Sequence, residues 1–256
     1  HYAGGNVWIG LLGAMLFGVL YAAVYGAAVI RFKANHIIAS IAMNMMALGL
    51  TSYLLRAIFR VQGSARPAQI SKLAPIRLPL IDDIPFLGEV ISRQNILTYF
   101  MVFAVILTHI LLNKTRAGLN ICSVGESEDA AETAGVNPDA ERWKVILICG
   151  GLCGLAGAYL STNIVSQFSE NMVQGRGFSA FTAVAFADAN PIPTFLVSLL
   201  FGLANAISIR LELMGTSISP SIIEMFPFIL AIVALALNSY GGKLKKLGVI
   251  GRKPAR

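Results

Sequence analysis

The sequence predicts an all-α, polytopic transmembrane helical bundle of about five long spans plus one short or broken helix. Three observations lead there. Hydrophobic residues make up 56% of the 256, and charged residues only 13%, against about 25% charged in soluble domains. The apolar residues come in runs of roughly 20, the length a helix needs to cross a bilayer. Polar or basic connections separate the runs. This composition excludes an ordinary soluble domain, a disordered chain and a collagen-like fibre.

The first span runs from Asn6 to Val29 without a charge. Gly10, Gly13, Ala14, Gly18 and Ala22 recur in it near helical spacing, which lets another helix approach closely. Arg31 and Lys33 follow as a basic stop. The second span, His36 to Phe59, carries Ser40, Asn44, Thr51 and Ser52 inside its apolar run. In residues 60–94, Pro67, Pro75, Pro79 and Pro85 prevent one long helix, so this is a water-facing connection with room for a short helix or hairpin. The third span is Asn95 to Leu112. The fourth runs from Trp143 to about Ile164, and Gly150 and Gly154 form a Gly-x-x-x-Gly pair suited to close packing. Residues 175–191 enclose about 12 apolar positions, too few for a full span and suited to a re-entrant or broken helix. The fifth span is Ile192 to Ile209, followed by a turn from Arg210 to Pro220. The last apolar segment is Ser221 to Tyr240, with Pro227 kinking its first turns. The tail from Gly241 to Arg256 holds six Lys or Arg and no acid.

A net charge of +7 would suggest nucleic acid in a soluble protein. In a membrane protein, basic residues that hold loops in the cytoplasm explain it more simply, and no nucleic-acid partner is expected. With the tail in the cytoplasm and residues 177–189 crossing, counting back makes 113–144 and the Arg31/Lys33 turn cytoplasmic and 60–94 extracytoplasmic. The inner segments then hold twelve Lys or Arg and the outer loop five. The basic tail reads as an orientation anchor beside anionic lipid. Three cysteines (Cys122, Cys149 and Cys153) without a Cys-x-x-Cys predict neither a disulfide framework nor a zinc site. No signal-peptide pattern precedes the first span, and the opening His1 reads as a trimmed start.

The segment 113–144 carries the most local information. Ser127 is an N-cap, with Glu128 and Asp129 in the positive first turn of a helix. Glu128 to Ala134 form about two turns, and Gly135 ends them at C′. Asn137 caps a new helix with Pro138 at its first position. A two-turn helix is unstable alone in water, so it must dock, either on its own membrane domain or on a partner that pushes it.

This segment and the glycine-rich stretch Gly150-Gly-Leu-Cys-Gly-Leu-Ala-Gly-Ala158 resemble permease subunits of bacterial ABC importers. The likeness is to the branch serving nucleosides and simple sugars, related to the branched-chain amino-acid permeases. Phe32 to Thr51, Gly175-Arg-Gly-Phe178 through Asn190-Pro191, and Leu200-Phe-Gly-Leu-Ala-Asn-Ala206 carry the same resemblance. It implies one transmembrane permease domain over residues 1–256 in a bacterial inner membrane, with its C-terminus in the cytoplasm. It also implies further membrane segments before the Gly5-Asn-Val-Trp8 region. Residues 126–136 would include a coupling helix that contacts an ATP-hydrolysing subunit, with Gly125, Glu126, Ala130, Ala131, Gly135 and Val136 as coupling residues. The implied partners are that ABC ATPase, a second permease subunit, identical or homologous, an extracytoplasmic substrate-binding protein and membrane lipid. Where many relatives carry a glycine at or near Ala187, this chain reads Phe186-Ala-Asp-Ala-Asn190.

No Gly-x-x-x-x-Gly-Lys-Ser/Thr phosphate loop is present. Hydrolysis is therefore expected on the partner chain with its ATP and magnesium, and no cofactor is expected in this one. Ser40, Asn44 and Thr51 are costly inside an apolar helix unless paired. They either bond to neighbouring helices or line a hydrated substrate path, with Asn44 the foremost candidate. Phe178 either packs against lipid or stacks on a base. Arg176 reads as an interfacial anchor, and Asp188 and Asn190 as a helix end and cap. The expected function is the translocation pathway for nucleosides or related small polar solutes, with ribose- or galactose-type sugars as the alternative. Two rivals are weaker. An ion-coupled transporter would place an acidic cluster at mid-membrane, and an intramembrane enzyme needs a nucleophile–base pair or metal cluster that the scattered His and Cys do not supply.

Overall fold

The computed structural model describes residues 7–65, 94–165 and 167–214. The chain divides into two units, residues 1–174 and 175–256. The expectations for most of the 60–94 connection, for the Ser221–Tyr240 segment and for the basic tail lie outside the described residues.

In the first unit the chain forms α1 (Val7–Gly26), α2 (His36–Phe59), α3 (Ile96–Lys114), α4 (Arg116–Glu126), α5 (Glu128–Thr133) and α6 (Pro138–Tyr159). One turn of π-helix extends α1 over Ala27–Arg31, and another extends α6 over Leu160–Ile164. Four of these helices are long and apolar enough to cross a membrane: Val7–Arg31, His36–Phe59, Ile96–Lys114 and Pro138–Ile164. Their outward surfaces carry large apolar side chains such as Phe17, Ile37, Met45 and Phe103. Lipid solvates such groups as well as a protein core does, so packing rather than hydrophobicity selects the helix contacts.

The main contact in this unit is an antiparallel seam between α1 and α6. Its centre is backbone against backbone. A Cβ added to Gly18 would lie 3.0 Å from Gly154 Cα, and one added to Gly154 would lie 2.9 Å from the Ala14 carbonyl carbon. A Cβ on Gly150 would meet the Gly18 carbonyl oxygen at 2.7 Å. The seam is closed at one end by the Trp143 ring, which covers Gly26, where a Cβ would lie 2.9 Å from Cζ3. At the other end Val7 and Leu11 pack against Leu155 and Ala158 of α6 and Ile96 and Leu97 of α3. The small residues of the first span and the Gly-x-x-x-Gly pair are thus the two sides of one joint.

Helix α2 is tied to α1 by the Tyr21 hydroxyl, which donates to the Met43 carbonyl. Asn35 caps it, accepting from Ile37 N at 2.9 Å. Beyond its end, strand β1 (Ser64–Ala65) pairs antiparallel with β2 (Phe168–Ser169), with Ser64 opposite Ser169. The Arg56 guanidinium stands 3.7 Å from the Glu170 carboxylate beside this clasp. The described start of the connection is thus fastened to the segment after α6.

The second unit holds α7 (Arg176–Phe186) and α8 (Pro191–Leu213). At 11 residues, α7 is about 16 Å long, roughly half the hydrocarbon thickness, as expected for a short or broken element. It does not complete by itself the crossing on which the count of membrane faces relied. Helix α8 supplies the fifth candidate span, Pro191–Leu211. It runs on through Arg210 to Leu213, so the predicted turn does not begin at Arg210; the helical ladder continues, with Met214 N donating to the Arg210 carbonyl. Ala183 and Ala204 are fully buried, and the Phe186 ring meets Phe201 edge-on at 6.3 Å.

Between these helices the left-handed residues are Asp188 (φ 50°) and Ala189 (φ 55°), not Ala187. An alanine there carries a Cβ penalty that glycine lacks. Ala189→Gly is therefore expected to stabilise by about 0.5–1 kcal/mol, after allowing for glycine's greater unfolded freedom. Buried Ala187 has an ordinary φ of −96°, so Ala187→Gly should destabilise. Thermal unfolding of both variants in detergent checks the pair.

Candidate functional site

The segment joining α3 to α6 folds into two consecutive short helices. Thr115 ends α3, and its Oγ1 accepts from Gly118 N at 3.2 Å to start α4. The turn is so sharp that a Cβ on Gly118 would lie 2.7 Å from the Leu112 carbonyl oxygen. Helix α4 gathers its apolar residues on one side and buries Gly118 and Val124. It occupies a stretch in which the sequence reading placed no helix.

Helix α5 follows almost at once. Ser127 caps it, with Oγ accepting from Ala130 N at 3.4 Å, and Glu128 and Asp129 fill its first turn. Its end is a full C-cap motif. Gly135 is left-handed at φ 84°, Val136 N donates to the Ala131 carbonyl at 3.0 Å, and Gly135 N donates to the Glu132 carbonyl at 2.9 Å. These two bonds satisfy carbonyls that a helix end leaves open. Asn137 then caps α6, accepting from Ala140 N at 3.1 Å, with Pro138 at the first helical position. From Asn137 onward the chain is one continuous helix into the glycine seam, not a separate turn before Trp143.

The resulting elbow is fastened at two points, and a further ion pair braces the first turns of α6 itself. Ala131 is the buried residue of α5, only 2% exposed. The Arg142 guanidinium donates to both Glu128 oxygens, at 2.8 and 2.6 Å. Lys144 Nζ donates to Glu141, which is buried, at 2.8 Å. Of the six residues expected to couple, Ala131 anchors the elbow, Gly135 and Val136 form its cap, and Gly125, Glu126 and Ala130 are exposed. The sequence reading missed Glu128 and Arg142 as partners. Its one available signal was their placement at the starts of two predicted helices.

An open cleft of about 840 Å³ separates the elbow from the turn between α1 and α2. Val29, Lys33 and His36 line one side, and Glu132, Asp139 and Arg142 the other. The turn that follows Arg31 and the elbow therefore lie at the same end of this unit's helices. The exposed Phe32 and left-handed Lys33 (φ 51°) sit in that turn.

The family model for the permease component of branched-chain amino-acid transport systems matches residues 1–235. The chain belongs to this permease family. It is a transport subunit rather than an enzyme, and as an ABC permease it works with an ATPase in a multi-pass membrane complex. This permease is 34% identical to the nucleoside ABC transporter permease NupC of Lactococcus lactis, over 90% of its own length and 73% of NupC. It is 33% identical to the guanosine ABC transporter permease NupQ of Bacillus subtilis, over 89% and 72%. The glucose ABC transporter permease TsgB13 of Haloferax volcanii is 27% identical over 74% of this chain and 51% of its own length. No solved structure matches the permease.

The expected substrate-path residues of this permease fall in both units: Ser40, Asn44 and Thr51 in the first and Phe178 in the second. Ser40, Asn44 and Thr51 fall on one side of α2 by helical spacing, and all three are exposed. Ser40 Oγ donates to its own helix at the Ile37 carbonyl, 2.8 Å, and Thr51 Oγ1 to the Ala47 carbonyl, 2.7 Å. Such back-bonding satisfies the hydroxyl without a neighbouring helix. Among the described residues the Asn44 amide makes no hydrogen bond, so it keeps its donors and acceptor to offer. Phe178 lies in the second unit, 67% exposed and 6.5 Å from the Phe181 ring.

Proposed function

We propose that this permease forms part of the translocation pathway of an ATP-driven importer for nucleosides. The observation that carries the substrate class is the pair of relatives, one of nucleosides and one of guanosine, each matched at 33–34% identity over about nine-tenths of this chain. Purine nucleosides are flat, polar-edged solutes. A path that handles them needs amide donors and acceptors with aromatic faces, and exposed Asn44 and Phe178 offer one of each. The glucose permease relative favours simple sugars as the second reading.

The mechanism follows from the elbow. The face holding Arg31, Lys33, Lys114, Arg116, Arg142 and Lys144 is cytoplasmic in this reading, because basic residues are retained there. An ATPase seats on α5 from that side. A substrate-binding protein delivers solute on the opposite face, and a second permease, identical or homologous, completes the path. ATP and magnesium act on the ATPase. This chain contributes no covalent step; its elbow moves, and α6 carries the movement into the seam.

Uptake of radiolabelled guanosine by cells expressing the complete importer tests the substrate class. Unlabelled adenosine or guanosine should abolish uptake in excess, while ribose and glucose leave it unchanged. Inhibition by the sugars alone, or no guanosine uptake, contradicts the nucleoside reading.

A further inference from the structure

We infer that the Glu128–Arg142 ion pair is a strut that locks the α5–α6 elbow, making both side chains positioning residues for energy coupling; this rests on the reading that α5 meets an ATPase. Helix α5 has six residues and is about 9 Å long. One end continues into residues 134–137, where Gly135 is left-handed. The caps there fix local dihedrals, and at the other end Ser127 joins α5 to α4, but backbone links at its two ends still let a short rod tilt relative to α6. Glu128 is the first residue of α5, at its α4 end. Arg142 stands in the second turn of α6 and reaches back to it across 14 residues.

The contact is two parallel N–H···O bonds, 2.8 Å from Nη1 to Oε1 and 2.6 Å from Nη2 to Oε2. A guanidinium fork on a carboxylate fixes an angle as well as a distance. The ion pair ties the α4 end of α5 to α6 across the elbow and closes a triangle. Glu132 and Asp139 line the same side of the cleft, yet the fork is directed at Glu128. The two side chains are 37% and 46% exposed, a setting in which an ion pair contributes little to overall stability. What it supplies is geometry. Immediately after Arg142, the Trp143 ring covers Gly26, and Gly150 and Gly154 lie on the α1 backbone. With the triangle closed, displacing α5 moves α6 and α1 together. With it open, α5 swings and the seam stays where it is.

A double-mutant cycle tests this. Glu128→Gln and Arg142→Met are made singly and together in the importer complex purified with its ATPase and reconstituted. Each single change should lower solute moved per ATP hydrolysed by about fivefold, the scale of directly interacting residues, and the double change should be no worse than either. A purely structural loss would lower uptake and hydrolysis together and leave their ratio unmoved. An unchanged ratio in the single variants, or effects that multiply in the double, overturns the strut. Hydrogen exchange of residues 128–137 in the permease alone supplies a readout without the ATPase. Protection should fall in each single variant, and no further in the double. If exchange follows the cycle but no ATPase couples to the wild type, the strut stands as a local device and the ATPase reading fails; unchanged exchange in the single variants overturns the strut even where coupling holds.

Discussion

Replacing Gly154 by leucine will cost about 3 kcal/mol, the upper end of the range for overpacking a tight contact, or prevent assembly of the first unit. The added Cβ would already lie 2.9 Å from the Ala14 carbonyl carbon and 3.2 Å from Met15 Cα. Both neighbours are backbone, so no rotamer change relieves the clash; α1 and α6 must separate. Separation forfeits the dispersion contacts on which helix association in lipid depends. Gly157, one turn further along α6, provides the matched control. A Cβ there meets nothing within 4 Å. Gly157→Leu should change stability by less than about 0.5 kcal/mol, as an unhindered outward-facing substitution does. Size-exclusion chromatography after graded heating in detergent distinguishes the two. Equal tolerance of leucine at 154 and 157 would show that the seam does not hold the unit together.

Scrambling residues 128–133 will reduce uptake at least about tenfold while the spans insert and pack normally, since coupling between sites is typically worth 1–3 kcal/mol. The separation of effects follows from how little of α5 is buried. Ala131 is its one buried side chain, and the remaining tethers are caps and the Arg142 pair. A six-residue helix cannot sustain itself in water, so its order comes from the elbow and from whatever covers its exposed side. Changing Glu128 and Ala130 removes exposed contact surface, and changing Ala131 removes the buried anchor, without touching the glycine seam. Gly135→Val acts on the same element through the backbone: its φ of 84° is a genuine outlier for a β-branched residue.

The long helices were legible because each is an apolar run with at most one charge near one end, bounded by polar or basic residues. The α1–α6 joint was legible because small residues at helical spacing have few other uses in lipid. The caps at Ser127, Gly135 and Asn137 could be read one residue at a time, since each turn type admits few side chains. Other features depend on where distant segments meet. Helix α4 was missed because Arg116–Glu126 is short, polar and holds two glycines, and it is ordered by the sharp Thr115 turn rather than by propensity. The β1–β2 clasp joins two-residue strands more than a hundred positions apart, too short to leave a pattern. The Glu128–Arg142 pair crosses an elbow whose angle no spacing rule supplies. For Ser40 and Thr51 the sequence posed the right question, whether their hydroxyls bond outward, but only the helix geometry shows both turned onto their own backbone. Asn44 and Phe178 stand in different units, so their common role rests on the proposed path and not on contact.

Uptake per ATP in proteoliposomes tests most directly whether α5 relays the work of hydrolysis. The complete importer, wild type or with residues 128–133 scrambled, is reconstituted with binding protein and guanosine on one side and ATP on the other. The account predicts ATP-dependent uptake in the wild type that persists with an uncoupler present. It predicts its near-complete loss in the scrambled variant, at equal insertion and yield. Undiminished uptake by the scrambled variant, or wild-type uptake that ignores ATP and collapses with the ion gradient, would contradict it.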